Sequence, residues 1–265
     1  MKLDFGDTSR LPAQWQPTPA TLETRVILIV GATGALGRAS ALACATAGAR
    51  VILLGRKVRA LEKIYDEIEA AHAGSVAIYP LDLTGATPRD YDDLAVTIAR
   101  EYGRLDGIVF CAAHFEGLQP FADIKPENWL RAMQVIVNAP FLIVQACARL
   151  LLRSEVDLTP PANESSVVFV LDDPARAGKA FWGAYGVAKH GLAGLVSVLH
   201  DEWETTPARV HALLPAPMKS VLRRTAYFGE NTIALPGGES AAPAVVYLLS
   251  DEGAAARGRV LDLRY

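Results

Sequence analysis

The most informative segment of the sequence for its fold is Val26-Ile27-Leu28-Ile29-Val30-Gly31-Ala32-Thr33-Gly34-Ala35-Leu36-Gly37. Its continuous apolar run predicts a short strand that is buried on both faces, as in a parallel sheet. Glycines then follow at every third position and lead into a helix of small residues. Glycines let a backbone approach a pyrophosphate closely, and a helix N-terminus supplies amide donors and positive potential. We therefore predict a Rossmann-type phosphate loop; the open alternative is a tight turn without a ligand. The loop residues expected to contact the ligand are Gly31, Thr33, Gly34, Leu36 and Gly37.

Short β-branched runs alternate with longer helical patterns along the rest of the chain. Strands are predicted at residues 25–30, 50–55, 75–80, 105–111, 166–171, 209–214 and 259–263. Helices are predicted at residues 36–47, 59–71, 90–102, 127–152, 183–204 and 241–249. This alternation predicts right-handed βαβ units. The expected fold is α/β, a single doubly wound Rossmann domain with a parallel sheet of about seven strands and helices on both faces.

The length of 265 residues suits one large α/β domain, and 51% hydrophobic residues suffice for its core. We expect this domain to cover residues 25–265, after a proline-containing surface arm at residues 1–24. Residues 217–239 leave the carboxyl end of the sixth strand, where such sheets bind ligands. They are expected to form either a substrate lid or only a long surface loop. Residues 154–163 contain Pro160-Pro161 and are expected to be a loop.

Charge and cysteine content exclude several classes of protein. The net charge of −3 gives no basic excess for binding nucleic acid. We find no apolar run of the roughly 18 residues that a membrane span needs, and no secretory signal at the N-terminus. The 3 cysteines are far apart and odd in number, which favours buried thiols over disulfides or a metal site. A cytoplasmic protein without a metal, membrane or nucleic-acid partner is therefore expected.

Two further segments refine the expected dinucleotide. Arg56 and Lys57 follow the second strand, where NAD sites usually carry an acidic residue for the ribose hydroxyls. Cations there suit a 2′-phosphate, so NADP is favoured over NAD, unless both are only solvated residues of a helix start. Asp82 follows the third strand in Leu81-Asp82-Leu83. Its carboxylate could accept a hydrogen bond from the adenine amino group, or it could cap a turn.

Tyr185 and Lys189 are four residues apart and therefore share one face of a predicted helix. An ammonium near the phenol favours the phenolate and lowers the tyrosine pKa toward working pH. Tyr185 would then serve as general acid for carbonyl reduction and as general base for the reverse reaction. Lys189 could also bond the nicotinamide ribose. The alternative for this common spacing is a pair on a helix surface.

Together, these motifs resemble the short-chain dehydrogenase/reductase family over residues 25–265. The resemblance is carried by the glycine loop, by Leu81-Asp82-Leu83, and by Tyr-x-x-x-Lys with the residues that follow it. Residues 51–56 and 182–185 look most like bacterial oxoacyl-carrier-protein-reductase-like oxidoreductases. The resemblance implies a small-molecule substrate and a homodimer or homotetramer. It also implies further cofactor contacts at Leu83, Cys111, Ala112, Ala113, Pro215, Ala216, Met218 and Ser220, beside Tyr185 and Lys189.

The chain departs from the family pattern at two catalytic positions. Thirteen residues before Tyr185, where the family commonly has a serine, stands Asp172. An ionised aspartate cannot donate a hydrogen bond and would raise the pKa of Tyr185 again, whereas a protonated one could donate. The helical asparagine of the family aligns with Ile136. Asn138 lies about 200° further around the helix and points elsewhere unless the helix is distorted.

These observations lead to one main hypothesis and two alternatives. The main one is an NADP(H)-dependent oxidoreductase that reduces a carbonyl or oxidises an alcohol, with Tyr185, Lys189 and Asp172 as catalytic residues. The first alternative is a catalytically impaired NADP-binding pseudoenzyme that acts as a sensor or scaffold. The second is a different reaction on the same fold, such as isomerisation or dehydration, with an acid at position 172 or 173.

Overall fold

The computed structural model of the chain describes residues 8–152 and 164–264, so the loop predicted at residues 154–163 lies outside the described residues. Strands and helices alternate as predicted. The strands are β1 (Thr8–Ser9), β2 (Val26–Val30), β3 (Arg50–Gly55), β4 (Val76–Pro80), β5 (Gly107–Phe110), β6 (Ser165–Val170), β7 (Ala208–Leu214) and β8 (Val260–Asp262). The helices are α1 (Ala35–Thr46), α2 (Val58–Ala71), α3 (Pro88–Tyr102), α4 (Pro126–Met133), α5 (Ala139–Leu151), α6 (Pro174–Ala177), α7 (Gly183–Glu202), α8 (Val221–Ala226) and α9 (Ala242–Leu249).

The strands form one sheet in the order β1-β8-β7-β6-β5-β2-β3-β4, and every neighbouring pair is parallel. The predicted doubly wound α/β fold is therefore confirmed, with eight strands in place of about seven. The chain reverses its winding direction between β2 and β5, which lie side by side in the centre of the sheet. In open parallel sheets this switch point, at the carboxyl ends of the strands, is where a ligand-binding crevice forms.

The additional strand is β1, which lies within the residues expected to form a surface arm. Thr8 and Ser9 pair with Val260 and Leu261 and extend the edge of the sheet. Further along this segment, Leu22 is completely buried in the core. The segment is thus attached to the domain more closely than predicted. Its strand was not predicted because two residues are too few to produce a recognisable pattern.

Both faces of the sheet are covered by helices. Along β2, Val26, Leu28 and Val30 pack into the core on the side of α3, α5 and α7. Ile27 and Ile29 alternate with them and pack into the core on the side of α1, α2 and α9. Successive side chains of a strand point to opposite faces. This burial on two sides is the reason that the strand appears in the sequence as an uninterrupted apolar run.

The predicted helix at residues 127–152 is one helical run, Pro126–Leu151, that contains a π-helical turn at Gln134–Asn138. By length and composition alone this run could cross a membrane. Its residues Ala139, Ile143 and Cys147 are, however, completely buried in the core beneath the sheet. This packing identifies the run as a core helix of the domain.

Candidate functional site

A cleft of about 960 Å³ opens at the carboxyl ends of the central strands. It extends from the loop after β2 to the segment after β7, across the switch point of the sheet. All of the residues that were predicted to contact a cofactor or substrate line this one cleft. They are Gly31, Thr33, Gly34, Leu36, Gly37, Arg56, Asp82, Leu83, Cys111, Ala112, Ala113, Asp172, Tyr185, Lys189, Pro215, Ala216, Met218 and Ser220.

The glycines of the loop after β2 fit a bound phosphate group. Gly31 has a φ of +87°, and a Cβ there would lie 2.6 Å from the backbone nitrogen of Ala112. A Cβ on Gly37 would lie 2.3 Å from the carbonyl oxygen of Gly31, so these two glycines are required by the turn itself. Gly34 differs, because a Cβ there would meet only the Gly31 oxygen, at 3.4 Å. Gly34 begins α1 without a side-chain cap, which leaves the first amides of α1 available to an anion.

At the far end of the cleft lie the residues that follow β3 and β4. Arg56 and Lys57 are exposed on the wall of the cleft directly after β3. Asp82 follows β4 and accepts hydrogen bonds at one oxygen from the backbone nitrogen of Thr84 (3.0 Å) and from its hydroxyl (2.8 Å). The bond from the Thr84 backbone is the main cause that lowers the pKa of Asp82. Asp82 therefore does cap a turn, one of the two predicted roles, while it also lines the cleft.

The catalytic pair proposed from the sequence is joined by a third residue. The Tyr185 hydroxyl donates a hydrogen bond of 2.5 Å to Oδ2 of Asp172. The other oxygen, Oδ1, accepts from the Asp173 backbone nitrogen at 2.7 Å and from the guanidinium of Arg176. The Asp172 side chain is only 8% exposed. Its carboxylate is thus held from three sides at the wall of the cleft.

The electrostatics of this cluster distinguish between the two protonation states of Asp172 that the sequence left open. Burial alone would raise the pKa of Asp172, but the hydrogen bond and charge of Arg176, with smaller contributions from Tyr185 and Lys189, hold it below its usual value. The protonated, hydrogen-bond-donating Asp172 that we considered is therefore wrong. Burial and the Asp172 charge together raise the pKa of Tyr185 well above its usual value. The raised pKa predicted beside an ionised Asp172 is therefore confirmed, and the lowering predicted for Lys189 alone is outweighed by burial and by the Asp172 charge.

Lys189 lies beside the tyrosine ring and does not bond its hydroxyl. Its Nζ donates a hydrogen bond of 2.7 Å to the carbonyl oxygen of Val170 and lies 5.8 Å from the centre of the Tyr185 ring. Burial lowers the pKa of Lys189 to about 8, although Asp172 opposes that shift. The side chain is buried in the wall of the cleft.

Ile136, which aligns with the family's asparagine, and the nearby Asn138 both lie in the π-helical turn. The helix is distorted at Gln134–Asn138. From the sequence, only such a distortion could direct Asn138 toward the site. Asn138 is nevertheless exposed, and its Nδ2 donates to Oε1 of Gln134 at 3.1 Å. Ile136 is buried in the core with 1% exposure. Neither residue lines the cleft, so the distortion of the helix does not bring Asn138 to the site.

Arg176 is the site residue that sequence reasoning missed. Its guanidinium lies 5.0 Å above the ring of Trp182 and 6.0 Å from the ring of Tyr227, between the catalytic cluster and the segment after β7. The available signal was its position four residues after Asp172, across the helix start at Asp173-Pro174. Trp182 is buried and stacks on Phe115 at 5.4 Å, so it both packs the helix and walls the pocket at Tyr185.

Residues after β7 form the remaining wall of the cleft. Pro215, Ala216 and Met218 line it directly. The hydroxyl of Ser220 accepts a hydrogen bond of 3.0 Å from the backbone nitrogen of Arg223 and so caps α8. Its proton remains able to donate to a ligand in the cleft.

The match to known families agrees with this geometry. The model of the family described as short chain dehydrogenase matches residues 25–230. The chain belongs to the short-chain dehydrogenase family. The resemblance inferred from the motifs is thereby confirmed.

Several individual proteins are similar to this chain over nearly its whole length. The uncharacterized oxidoreductase YciK of Escherichia coli K12 is 32% identical over 248 residues, which cover 94% of this chain and 95% of YciK. A short chain dehydrogenase structure from Pseudomonas syringae has 33% identity and a TM-score of 0.85, covering 94% of this chain and 98% of that one. A short chain dehydrogenase from Escherichia coli CFT073, solved in complex with NADPH, has 32% identity and a TM-score of 0.85, covering 93% and 99%.

Proposed function

We propose that this protein is an NADP(H)-dependent oxidoreductase that interconverts an alcohol and a carbonyl compound. The observation that carries the proposal is that Tyr185 and Lys189 line the same cleft as the glycine loop, at the switch point of the sheet. A bound nicotinamide cofactor would supply hydride transfer. The protein would supply the phosphate loop, the orientation of the substrate, and proton transfer at the Tyr185 hydroxyl.

NADP rather than NAD is supported by two independent observations. Two similar structures, from Escherichia coli CFT073 and Shigella flexneri, were solved with NADPH and NADP. In this chain the exposed cations Arg56 and Lys57 line the cleft directly after β3, where the adenosine ribose of a dinucleotide lies in this fold. Their positive charge favours a 2′-phosphate, which Arg can bind with paired hydrogen bonds.

We also propose that the protein is a homodimer or homotetramer. Large apolar side chains are exposed on α4, α5 and α7, on surfaces that no part of the described chain covers. They are Leu130 (65% exposed), Phe141 (46%), Val187 (46%) and Val198 (65%). A second copy of the chain would bury them. Light scattering on the purified protein measures this directly, and a monomer at micromolar concentration would contradict it.

Nucleotide affinity tests the cofactor assignment. We expect NADP⁺ to bind more tightly than NAD⁺ in isothermal titration calorimetry. Arg56→Gln should weaken NADP⁺ binding about 10- to 100-fold, the effect of losing a charge-assisted hydrogen bond, and leave NAD⁺ binding nearly unchanged. Arg59→Gln is the matched control, because Arg59 is exposed on the same helix start but does not line the cleft. Equal affinity for both nucleotides would overturn the assignment.

Turnover tests the reaction. The protein is assayed by nicotinamide absorbance with a panel of alcohols plus NADP⁺ and of ketones, aldehydes and oxoacyl thioesters plus NADPH. We expect turnover with at least one alcohol–carbonyl pair. Tight NADP⁺ binding without turnover at high enzyme concentration would instead favour a non-catalytic sensor or scaffold.

A further inference from the structure

The hydrogen bond between Tyr185 and Asp172 determines what kind of oxygen the site can receive. A phenol has one proton to donate, and Tyr185 donates it to Asp172 at 2.5 Å. The lone pairs of the Tyr185 oxygen remain, so toward the cleft this oxygen is an acceptor. An alcohol substrate offers a hydroxyl proton to such an acceptor. A carbonyl substrate needs a donor instead.

The carboxylate of Asp172 strengthens the preference of the site for a substrate that donates a hydrogen bond. It stands where the family commonly places a serine hydroxyl, and an ionised carboxylate only accepts hydrogen bonds. Lys189 donates a hydrogen bond to the Val170 carbonyl, and its Nζ lies 5.8 Å from the centre of the Tyr185 ring and makes no hydrogen bond to the Tyr185 hydroxyl. An alcohol hydroxyl can therefore donate a hydrogen bond to the Tyr185 oxygen, and the Tyr185 hydroxyl in turn donates to Asp172.

On this basis we propose that Asp172 is the final proton acceptor in the oxidation of an alcohol, with Tyr185 passing the proton to it. This inference rests on the proposed oxidoreductase function. In the step, the C–H bond of the alcohol breaks and its hydride goes to the nicotinamide ring of NADP⁺. The O–H proton of the alcohol goes to the Tyr185 oxygen as the Tyr185 proton moves to Oδ2 of Asp172. The products are the carbonyl compound, NADPH and a protonated Asp172, which returns its proton to water in the cleft.

Arg176 acts as a positioning residue for this relay. It binds Oδ1 of Asp172, which leaves Oδ2 directed at Tyr185. Its guanidinium is fixed in turn against the rings of Trp182 and Tyr227. One oxygen of the Asp172 carboxylate therefore anchors the side chain to Arg176, and the other accepts the proton from Tyr185.

The relay has a distinct dependence on pH. Oxidation requires ionised Asp172, and reduction requires protonated Asp172, since the two directions are the reverse of one another. The charged groups that act on the pair are Arg176 on α6 and Lys189 on α7. Cys111 acts on Lys189, Tyr227 acts on Arg176, and the neighbouring Asp173 carboxylate pairs with Arg264. Arg176 and Lys189 favour the ionised form of Asp172. The competent form at neutral pH is therefore the one that oxidises alcohols.

A spectroscopic titration of the cofactor-free protein tests the hydrogen-bonded pair without any turnover. Ionisation of Tyr185 is followed by tyrosinate absorbance, as the difference between the parent and Tyr185→Phe. Asp172→Asn should lower the midpoint by about one pH unit or more, because it removes the negative charge beside the phenol. Asp173→Asn is the matched control, since Asp173 pairs with Arg264 at 2.9 Å and not with Tyr185. An unchanged midpoint in Asp172→Asn would overturn the pair.

The pH profiles of kcat/KM test the direction of proton transfer. Between about pH 6 and 8, alcohol oxidation by the parent should be flat, while reduction of the matching carbonyl should fall about tenfold per pH unit. Asp172→Ser, which keeps a small polar side chain, should move both inflections up to the pKa of Tyr185 itself. A parent whose reduction is flat over this range would overturn the relay and leave the proposed function intact. Absence of turnover in both directions would instead overturn the proposed function, and the titration would then decide the pair by itself.

Discussion

The three glycines of the phosphate loop have different structural roles, although all three belong to the same motif. Gly31 and Gly37 are held by contacts within the protein, with a Cβ on either one placed inside 3 Å of backbone atoms. A Cβ on Gly34 would meet only the Gly31 oxygen, at 3.4 Å, and Gly34 lines the cleft. The turn itself therefore requires the first two glycines but not the third.

This difference predicts opposite effects for two alanine variants. Gly31→Ala should lower the free energy of unfolding by about 1–3 kcal/mol, because it combines a φ of +87° with a clash against Ala112. Gly34→Ala should change stability little but weaken NADP⁺ binding. Urea denaturation measures the first effect and calorimetry the second. A stable Gly31→Ala, or a Gly34→Ala with full affinity, would contradict the division.

The identities of the site residues could be predicted from the sequence, but the position of one proton could not. Tyr185 and Lys189 were found from their spacing, because residues four apart share a helix face, whereas Asp172 was found from the family resemblance, thirteen residues before Tyr185. The sequence could not tell that Asp172 is kept ionised by Arg176, whose effect depends on the fold of a four-residue helix. Burial and nearby charges shift a pKa in competing directions, and the burial of a given side chain is known only from the packed structure.

At the scale of elements, the predicted strands and helices differ from the structure mainly at their ends. The apolar run of β2 and the helix α7 were predicted within a residue or two, since both have long and regular patterns. The π-helical turn at Gln134–Asn138 was not predicted, because its residues continue the helical pattern without interruption. The edge strand β1 was missed for the opposite reason, since it contains only two residues.

The segment that carries β1 is predicted to contribute to stability. Trp15 follows this strand and packs edge-on against Tyr247 of α9, with ring centres 5.2 Å apart. Trp15→Ala should lower the free energy of unfolding by about 1–3 kcal/mol, because an aromatic contact on the core is lost. The exposed neighbour Gln16 provides the control, and Gln16→Ala should stay within about 0.5 kcal/mol of the parent. Equal stability of the two variants in urea would indicate a free surface arm.

At the scale of the whole molecule, charge is buried at the end of the sheet opposite the cleft. Arg25 and Arg209 are almost completely buried at the starts of β2 and β7, and Arg209 donates to the carbonyl oxygen of Ser250 at 2.7 Å. His211 lies in β7 with no exposed surface. Burial, followed by the charges of Arg209 and Arg257, lowers the pKa of His211 well below its usual value.

Stability should therefore depend on pH through His211. The folded chain keeps His211 neutral, whereas the unfolded chain binds a proton below its ordinary pKa of about 6.5. Stability is thus complete above that pH and is lost as the pH falls, by up to about 1.4 kcal/mol per unit for this one group. His211→Gln should reduce the slope of unfolding free energy against pH below 6.5 by about one proton. Identical slopes for parent and variant would show that His211 is already protonated in the fold.

The proposed chemistry of this cleft is proton transfer at Tyr185 beside a bound NADP cofactor. It is tested most directly by comparing the parent with Tyr185→Phe, on the best alcohol–carbonyl pair, with NADP⁺ affinity measured on both proteins. Tyr185 is buried, and the variant removes only its hydroxyl, so the fold and the phosphate loop should be unaffected. We predict that NADP⁺ affinity is retained while kcat/KM falls about 10²- to 10⁴-fold. Turnover by Tyr185→Phe at the parent's rate would contradict the account.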